Sequence, residues 1–183
     1  NFKKKSFKKI KIKKGKTFLV IPEGIYSECE NLFKISLNLA NKLKNFKFIW
    51  RVHPVIEFEK VLKSLNLNLK EIPKNIIVSK DEFENDISKS TYVIYKGSAA
   101  ILKSVIMGNY PLYFKSNDEK NFDPLKYYFH KKNYFKNEVD FIEKVKKTKS
   151  KFYKKEFEKK ISLIKKSSFP TVNLDKIKIH LSS

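Results

Sequence analysis

Arginine is almost absent from this chain: Arg51 is the single one among 41 basic residues, and all the others are lysines. Cysteine is as scarce, and Cys29 alone rules out an internal disulfide and fits a reducing compartment. The three histidines and the one cysteine are scattered without metal-ligand spacing, which argues against a metal site. Glycine is held to four residues. No apolar run approaches the ~20 residues of a membrane-spanning helix. The first 16 residues carry nine lysines and no apolar stretch, so no secretory signal is read there. The chain opens on Asn1, and it is expected to be a piece excised from a longer polypeptide.

What is present is a core. A length of 183 residues, 41% of them hydrophobic, with 16 Phe and 9 Tyr, suits one domain and excludes global disorder. The net charge of +22 admits three partners: nucleic acid, an anionic membrane face, or an anionic substrate. A lysine-rich coding bias that decorates every exposed face explains it equally well. Nucleic-acid readers mix arginine with lysine because the guanidinium forks onto guanine and phosphate, so a lone arginine argues against that partner. A membrane surface asks only for dispersed positive charge.

Hydrophobic periodicity alternates along the chain. Thr17–Ile21, Phe46–Trp50, Asn75–Val78, Tyr92–Tyr95 and Pro111–Phe114 read as short buried strands. Between them lie helical patterns. One carries Leu32, Phe33, Ser36, Leu39, Ala40 and Leu43, and Ser27 with Glu30 forms an apparent capping box before it. A second carries Phe58, Val61, Leu62 and Leu65; a third, opened by Asp81, carries Phe83 and Ile87. Ser98 is expected to cap a fourth, which Gly108 stops. The expected fold is therefore α/β: a Rossmann-like three-layer domain over residues 17–134 with a parallel sheet of about five strands. Residues 1–16 read as a basic leader or linker, with Ile10 and Ile12 hinting at an edge strand. Residues 115–134 read as an aromatic loop. Residues 135–183 read as amphipathic helices and a tail packing on the same domain, with Phe141, Val145, Phe152, Phe157, Ile161 and Ile164 on one side.

Parallel sheets bind ligands beyond the carboxyl ends of their strands, and the unusual residues fall there. Pro22-Glu23-Gly24 follows the first strand and leads to Ser27; these residues can shape a ligand cleft. Arg51-Val52-His53-Pro54 follows the second. In an extended segment Arg51 and His53 face the same way, and a forked cation beside an imidazole suits a phosphate. An arginine tying down a loop carboxylate fits the same residue. Lys96-Gly97-Ser98-Ala99-Ala100 follows the fourth strand and opens a helix, where glycine lets a ligand approach and free amides favour an anion. A plainly capped helix with a close helix–strand contact is the other reading. Asp118, Glu119 and Asp123, after the fifth strand, suit a sugar hydroxyl or a solvated acidic patch. His130 and His180 have no supporting context. Neither dinucleotide fingerprint nor P-loop is present, so no cofactor is expected.

In that order the motifs resemble the C-terminal, donor-binding half of a GT-B glycosyltransferase. The stretch Lys96–Pro111 is similar to the Gly-Ser turn and helix typical of that half. Arg51-Val52-His53-Pro54 resembles the His-Pro motif of bacterial sialyl- and polysialyltransferase-like enzymes of surface polysaccharide synthesis. The resemblance covers roughly residues 17–125. It implies that His53 and Ser98 contact the nucleotide phosphate, with Arg51, Gly97 and Ala99 beside them, and that Arg51 and His53 stabilise the leaving nucleotide. Ala99 replaces the second Ser/Thr of the usual pair, and Lys103 replaces the ribose-binding glutamate of retaining relatives. An inverting, metal-independent enzyme with a sialyl-like, CMP-linked donor is implied instead. The resemblance further implies a missing N-terminal acceptor domain, a glycan or lipid-linked acceptor, and a cytoplasmic, membrane-peripheral location. Two rival readings remain open: a non-catalytic basic module for nucleic acid or membrane, and a polyol-phosphate transferase or sugar epimerase of the same plan.

Overall fold

A computed structural model describes residues 13–116 and 122–168. Strands β1 (Thr17–Ile21), β2 (Lys47–Trp50), β3 (Ile76–Val78), β4 (Tyr92–Tyr95), β5 (Tyr110–Phe114) and β6 (Tyr134–Phe135) form one sheet in the order β3-β2-β1-β4-β5-β6. Every pairing is parallel. Helix α1 (Tyr26–Lys42) links β1 to β2, and α2 (Phe58–Ser64) with a 3-10 turn at Leu69–Glu71 links β2 to β3. Helices α3 (Phe83–Lys89), α4 (Ala100–Ile106) and α5 (Lys126–Phe129) precede β4, β5 and β6; α6 (Glu138–Lys147) and α7 (Lys151–Ser168) close the chain. This is a Rossmann-like α/β domain, with its order reversal between β1 and β4.

The strands form because their residues are apolar on both faces, the pattern of a sheet covered on both sides. Phe18, Leu19, Val20, Phe48, Trp50, Val93, Ile94 and Tyr95 are all fully buried. Phe18 is the hub: its ring lies 5.2 Å from Phe48, 4.7 Å from Tyr92, 5.3 Å from Phe46 and 5.1 Å from Phe141 of α6. Trp50 stacks on Phe33 of α1 at 4.6 Å and meets Phe58 of α2 edge-on at 6.4 Å. Helix α7 brings Phe157 onto Tyr110 at 4.6 Å and towards Phe129 at 6.2 Å. Each such aromatic pair contributes about 0.5–1.5 kcal/mol beyond area burial. Among the described residues no helix is long and apolar enough to cross a membrane.

The structure corrects several sequence expectations. The five expected strands are present and the sheet adds a sixth: α5 lies inside the stretch read as loop and β6 spans the boundary between that stretch and the expected helices, where four-residue and two-residue elements leave no periodic signal. Ser27 does not cap α1, which starts at Tyr26 after an extended Ile25. Ser98 does not cap α4 either, because the turn runs through Ala99 in helical geometry. Asp81 accepts from Lys89 instead of capping α3. Phe152 is 79% exposed, because the inward stripe of α7 runs through Tyr153, Phe157, Ile161 and Ile164 and Phe152 falls off it. Ile10, Ile12, Asp118, Glu119 and His180 lie outside the described residues, and His130 is exposed in left-handed geometry after α5.

Replacing Phe18 by Ala removes the side chain that four rings share. It is expected to lower stability by about 3–5 kcal/mol, read from urea denaturation midpoints at unchanged slope.

Candidate functional site

Hydrogen bonds hold the carboxyl ends of β2 and β3 together before any ligand is considered. Arg51 N donates to the Val20 carbonyl at 3.1 Å and Ser79 N to the Trp50 carbonyl at 2.8 Å, so the chain leaves both strands in register. Arg51 Nη1 then donates to the Asp81 carbonyl at 2.6 Å and to Asp86 Oδ2 at 2.8 Å. Asp86 is 1% exposed and also accepts from the Ser79 hydroxyl at 2.7 and 2.8 Å. The Phe83 ring underlies the guanidinium at 5.5 Å. The lone arginine is thus the counterion of a buried carboxylate. Its Nε and Nη2 make no hydrogen bond to a described residue.

Those groups border a cavity of about 230 Å³ lined by Ile21, Pro22, Arg51, Val52, His53, Pro54, Phe83, Ser98 and Ala100. Arg51, His53 and Ser98 are therefore brought together, at the ends of β2 and β4. His53 Nδ1 accepts from the Val55 amide at 3.4 Å, which leaves the proton of the neutral ring on Nε2. The imidazole packs on Gly24, where an added Cβ would stand 3.0 Å from His53 Cε1. Ser98 N turns back to the Lys96 carbonyl at 2.9 Å, and the amides of Ala99 and Ala100 bond no described residue. Ser27 stands exposed on the first turn of α1, outside this cavity. The volume fits a phosphate or diphosphate, not a whole nucleotide.

Next to the cavity, at the ends of β1, β4 and β5, lies a second polar set. Gly97 has a φ of +72°, and a Cβ there would stand 1.9 Å from Glu23 Oε2; the Glu23 carboxylate rests on the bare glycine backbone. Lys96 is 3% exposed, with Nζ 2.9 Å from Ser116 Oγ and 3.9 Å from Glu28 Oε1. Burial pulls the Lys96 pKa below its usual value against the opposing charges of Glu28 and Glu23. Burial pushes the Glu28 carboxyl above its usual value, helped by a hydrogen bond shared with Glu23 and opposed by Lys96. Both members of the pair move towards neutrality, so desolvation outweighs their attraction at this distance. Buried at its floor, the Tyr113 hydroxyl is pushed up to about 12 by burial and by the charges of Asp123, Glu28 and Glu23.

Asp123 belongs to neither a solvated patch nor an open cleft. It is 8% exposed and accepts from Tyr95 at 2.7 Å and from the Leu125 amide at 2.8 Å; Asn133 donates to the Tyr95 hydroxyl at 3.0 Å. Asp86, Glu28 and Ser116 are polar residues of this region to which sequence reading gave no role, and Lys96 was read only as the start of the turn before α4. For Asp86 a signal existed: Phe83, Asp86, Ile87 and Ser90 share helical spacing, which places the carboxylate on a buried stripe. No three His, Cys, Asp or Glu among the described residues are grouped to hold a metal.

Comparison with models of known protein families and with curated proteins finds no match. The class that the fold and site define is a Rossmann-like, all-parallel α/β domain with a polar cavity where its strand order reverses.

Two outcomes follow from this geometry. Arg51→Ala strands the Asp86 carboxylate and is expected to cost about 2–4 kcal/mol in urea denaturation, with Arg51→Lys recovering only part. The raised Glu28 pKa gives a stability contribution that is full below the ordinary glutamate value of 4.5 and lost as pH rises through the folded-state value. Glu28→Gln is therefore expected to change stability more favourably at pH 8 than at pH 4, measured by thermal unfolding against the parent at both pH values.

Proposed function

We propose that this domain is the nucleotide-sugar-binding half of a glycosyltransferase that builds surface glycans. The observation that carries the reading is the convergence of Arg51, His53 and Ser98 on one cavity at the order reversal of a parallel sheet. Ligands of such sheets sit in that crevice. The order of the Glu23-Gly24, His53-Pro54 and Gly97-Ser98 motifs, resembling the GT-B donor half, points to a sugar donor.

In this reading a donor phosphate occupies the cavity. Arg51 is oriented by Asp86 and Asp81, so its remaining N–H groups are aimed before the ligand arrives. Asp86 neutralises much of its charge, so Arg51 acts chiefly as a positioned donor. His53 Nε2–H and the Ser98 hydroxyl supply the other hydrogen bonds, and Arg51 and His53 stabilise the departing nucleotide by donating to its phosphate. The amides of Ala99 and Ala100 add donors where the chain enters α4. The net charge of +22 draws an anionic donor to the domain. An acceptor-binding domain completes the active site, and lysine-rich surfaces hold the enzyme near lipid-linked acceptors.

The test is a thermal-shift panel of CMP, CDP, UDP and GDP. A true ligand at 100 times its dissociation constant is expected to add about 2.7 kcal/mol. His53→Ala and Ser98→Ala are expected to weaken binding at near-parental stability, because neither side chain takes part in the Arg51–Asp86 pair. No shift with any of the four, or shifts insensitive to both substitutions, rejects the reading.

A further inference from the structure

The fold uses only one side of α7. Phe157, Ile161 and Ile164 are buried, and Tyr153 packs on Tyr110. With about 3.6 residues per turn, these positions fix the inward direction of the helix. The opposite pole falls on Phe152, Lys159 and Leu163, within about 20° of one another, and Lys155 and Lys166 lie within about 60° of Phe152. Phe152 is 79% exposed and Leu163 57%, and all three lysines are exposed beside them. None of the three pairs with a carboxylate among the described residues. Glu156, on the flank, is taken by Lys132 at 3.0 Å and Lys160 at 3.2 Å. Glu158 lies about 120° from Phe152. The outer face is therefore a basic stripe with an aromatic and an aliphatic side chain at its centre, about 16 Å apart along the axis.

We propose that this outer face of α7 docks on an anionic phospholipid surface, with Phe152 and Leu163 entering the headgroup region and Lys155, Lys159 and Lys166 beside the lipid phosphates. A helix lying in the plane of a membrane interface combines buried apolar side chains with attraction to anionic lipids, and this face carries both. The net charge of +22 draws the whole chain towards any anionic surface. Charges farther from that surface than a Debye length of about 8 Å are screened, so the lysines of the contacting face set the affinity. Nucleic acid accounts for the lysines but not for apolar side chains at the pole, and no arginine stands on α7 to fork onto phosphate or guanine. The proposal names the surface behind the membrane side of the proposed function and rests on that reading for its purpose alone.

Co-sedimentation of the full chain with vesicles tests this, comparing phosphatidylcholine alone with phosphatidylcholine holding about 30% phosphatidylglycerol. Binding is expected on the anionic vesicles only. One variant joins Phe152→Ser to Leu163→Ser, and a second joins Lys155→Gln, Lys159→Gln and Lys166→Gln. A control joins Lys34→Gln, Lys63→Gln and Lys74→Gln, removing the same charge from exposed positions on α1, α2 and the turn before β3. Every position is exposed, so each variant is expected to fold, checked by circular dichroism. The apolar pair is expected to lose about fivefold in vesicle affinity, the α7 lysines about tenfold or more, and the control about twofold or less. A parent that ignores anionic vesicles overturns the proposal. So does a control that loses as much as the α7 lysines, or an apolar pair variant that binds like the parent. Titration with a single-stranded oligoribonucleotide completes the set: α7 variants that lose RNA but keep vesicles assign the face to nucleic acid and overturn the lipid reading. No nucleotide is present in the vesicle assay, so its failure leaves the donor cavity standing, and a failed nucleotide panel leaves the vesicle result standing.

Discussion

Strand β1 is hydrogen-bonded to β2 on one side and β4 on the other, and the chain leaves the sheet in opposite directions from that point. Right-handed crossovers allow no other course once the order runs 3-2-1-4-5-6. The backbone cannot fill the space beyond the ends of β1 and β4, so a crevice is a necessity of the topology. Everything polar that matters here hangs on its rim: Glu23 and Gly24 from β1, Arg51 and His53 from β2, Lys96 to Ser98 from β4, and Ser116 from β5. The buried aromatic run beneath holds those strand ends in register.

Within that frame, burial decides what each charge does. Arg51 and Asp86 pair at 2.8 Å with Ser79 as a third partner, so the buried carboxylate is fully served and the arginine is oriented. Lys96 and Glu28 stand 3.9 Å apart, too far for their attraction to repay desolvation, and both drift towards neutrality. Two electrostatic environments therefore lie at neighbouring strand ends: an ion pair that orients Arg51 on the β2 side, and a buried Lys96 beside Glu28 and Glu23 on the β4–β5 side.

The sheet was legible from the chain because its strands are unbroken apolar runs closed by Pro22, Pro54 or Gly97. The parallel class followed from their alternation with helical spacing. The second short strand past α4 was not legible: Tyr134–Phe135 pairs with Tyr113–Phe114 through only two residues, and no period exists over that length. Caps misled for a different reason. Ser27 and Ser98 have the right chemistry and spacing, but at both places the backbone enters the helix through its neighbour, and a cap depends on backbone angles that side-chain identity does not dictate.

Arg51, His53 and Ser98 were identifiable as a group because each is an odd residue at a strand end. Residue types and their order thus determined the α/β class, the strand that each motif follows, and the end of the sheet at which those motifs gather. They did not determine partners, because an ion pair is chosen by distance and solvent exclusion across elements far apart in the chain. Only the folded arrangement decided that the single guanidinium answers Asp86, that Glu23 lies on Gly97, and that Lys96 is buried among carboxylates.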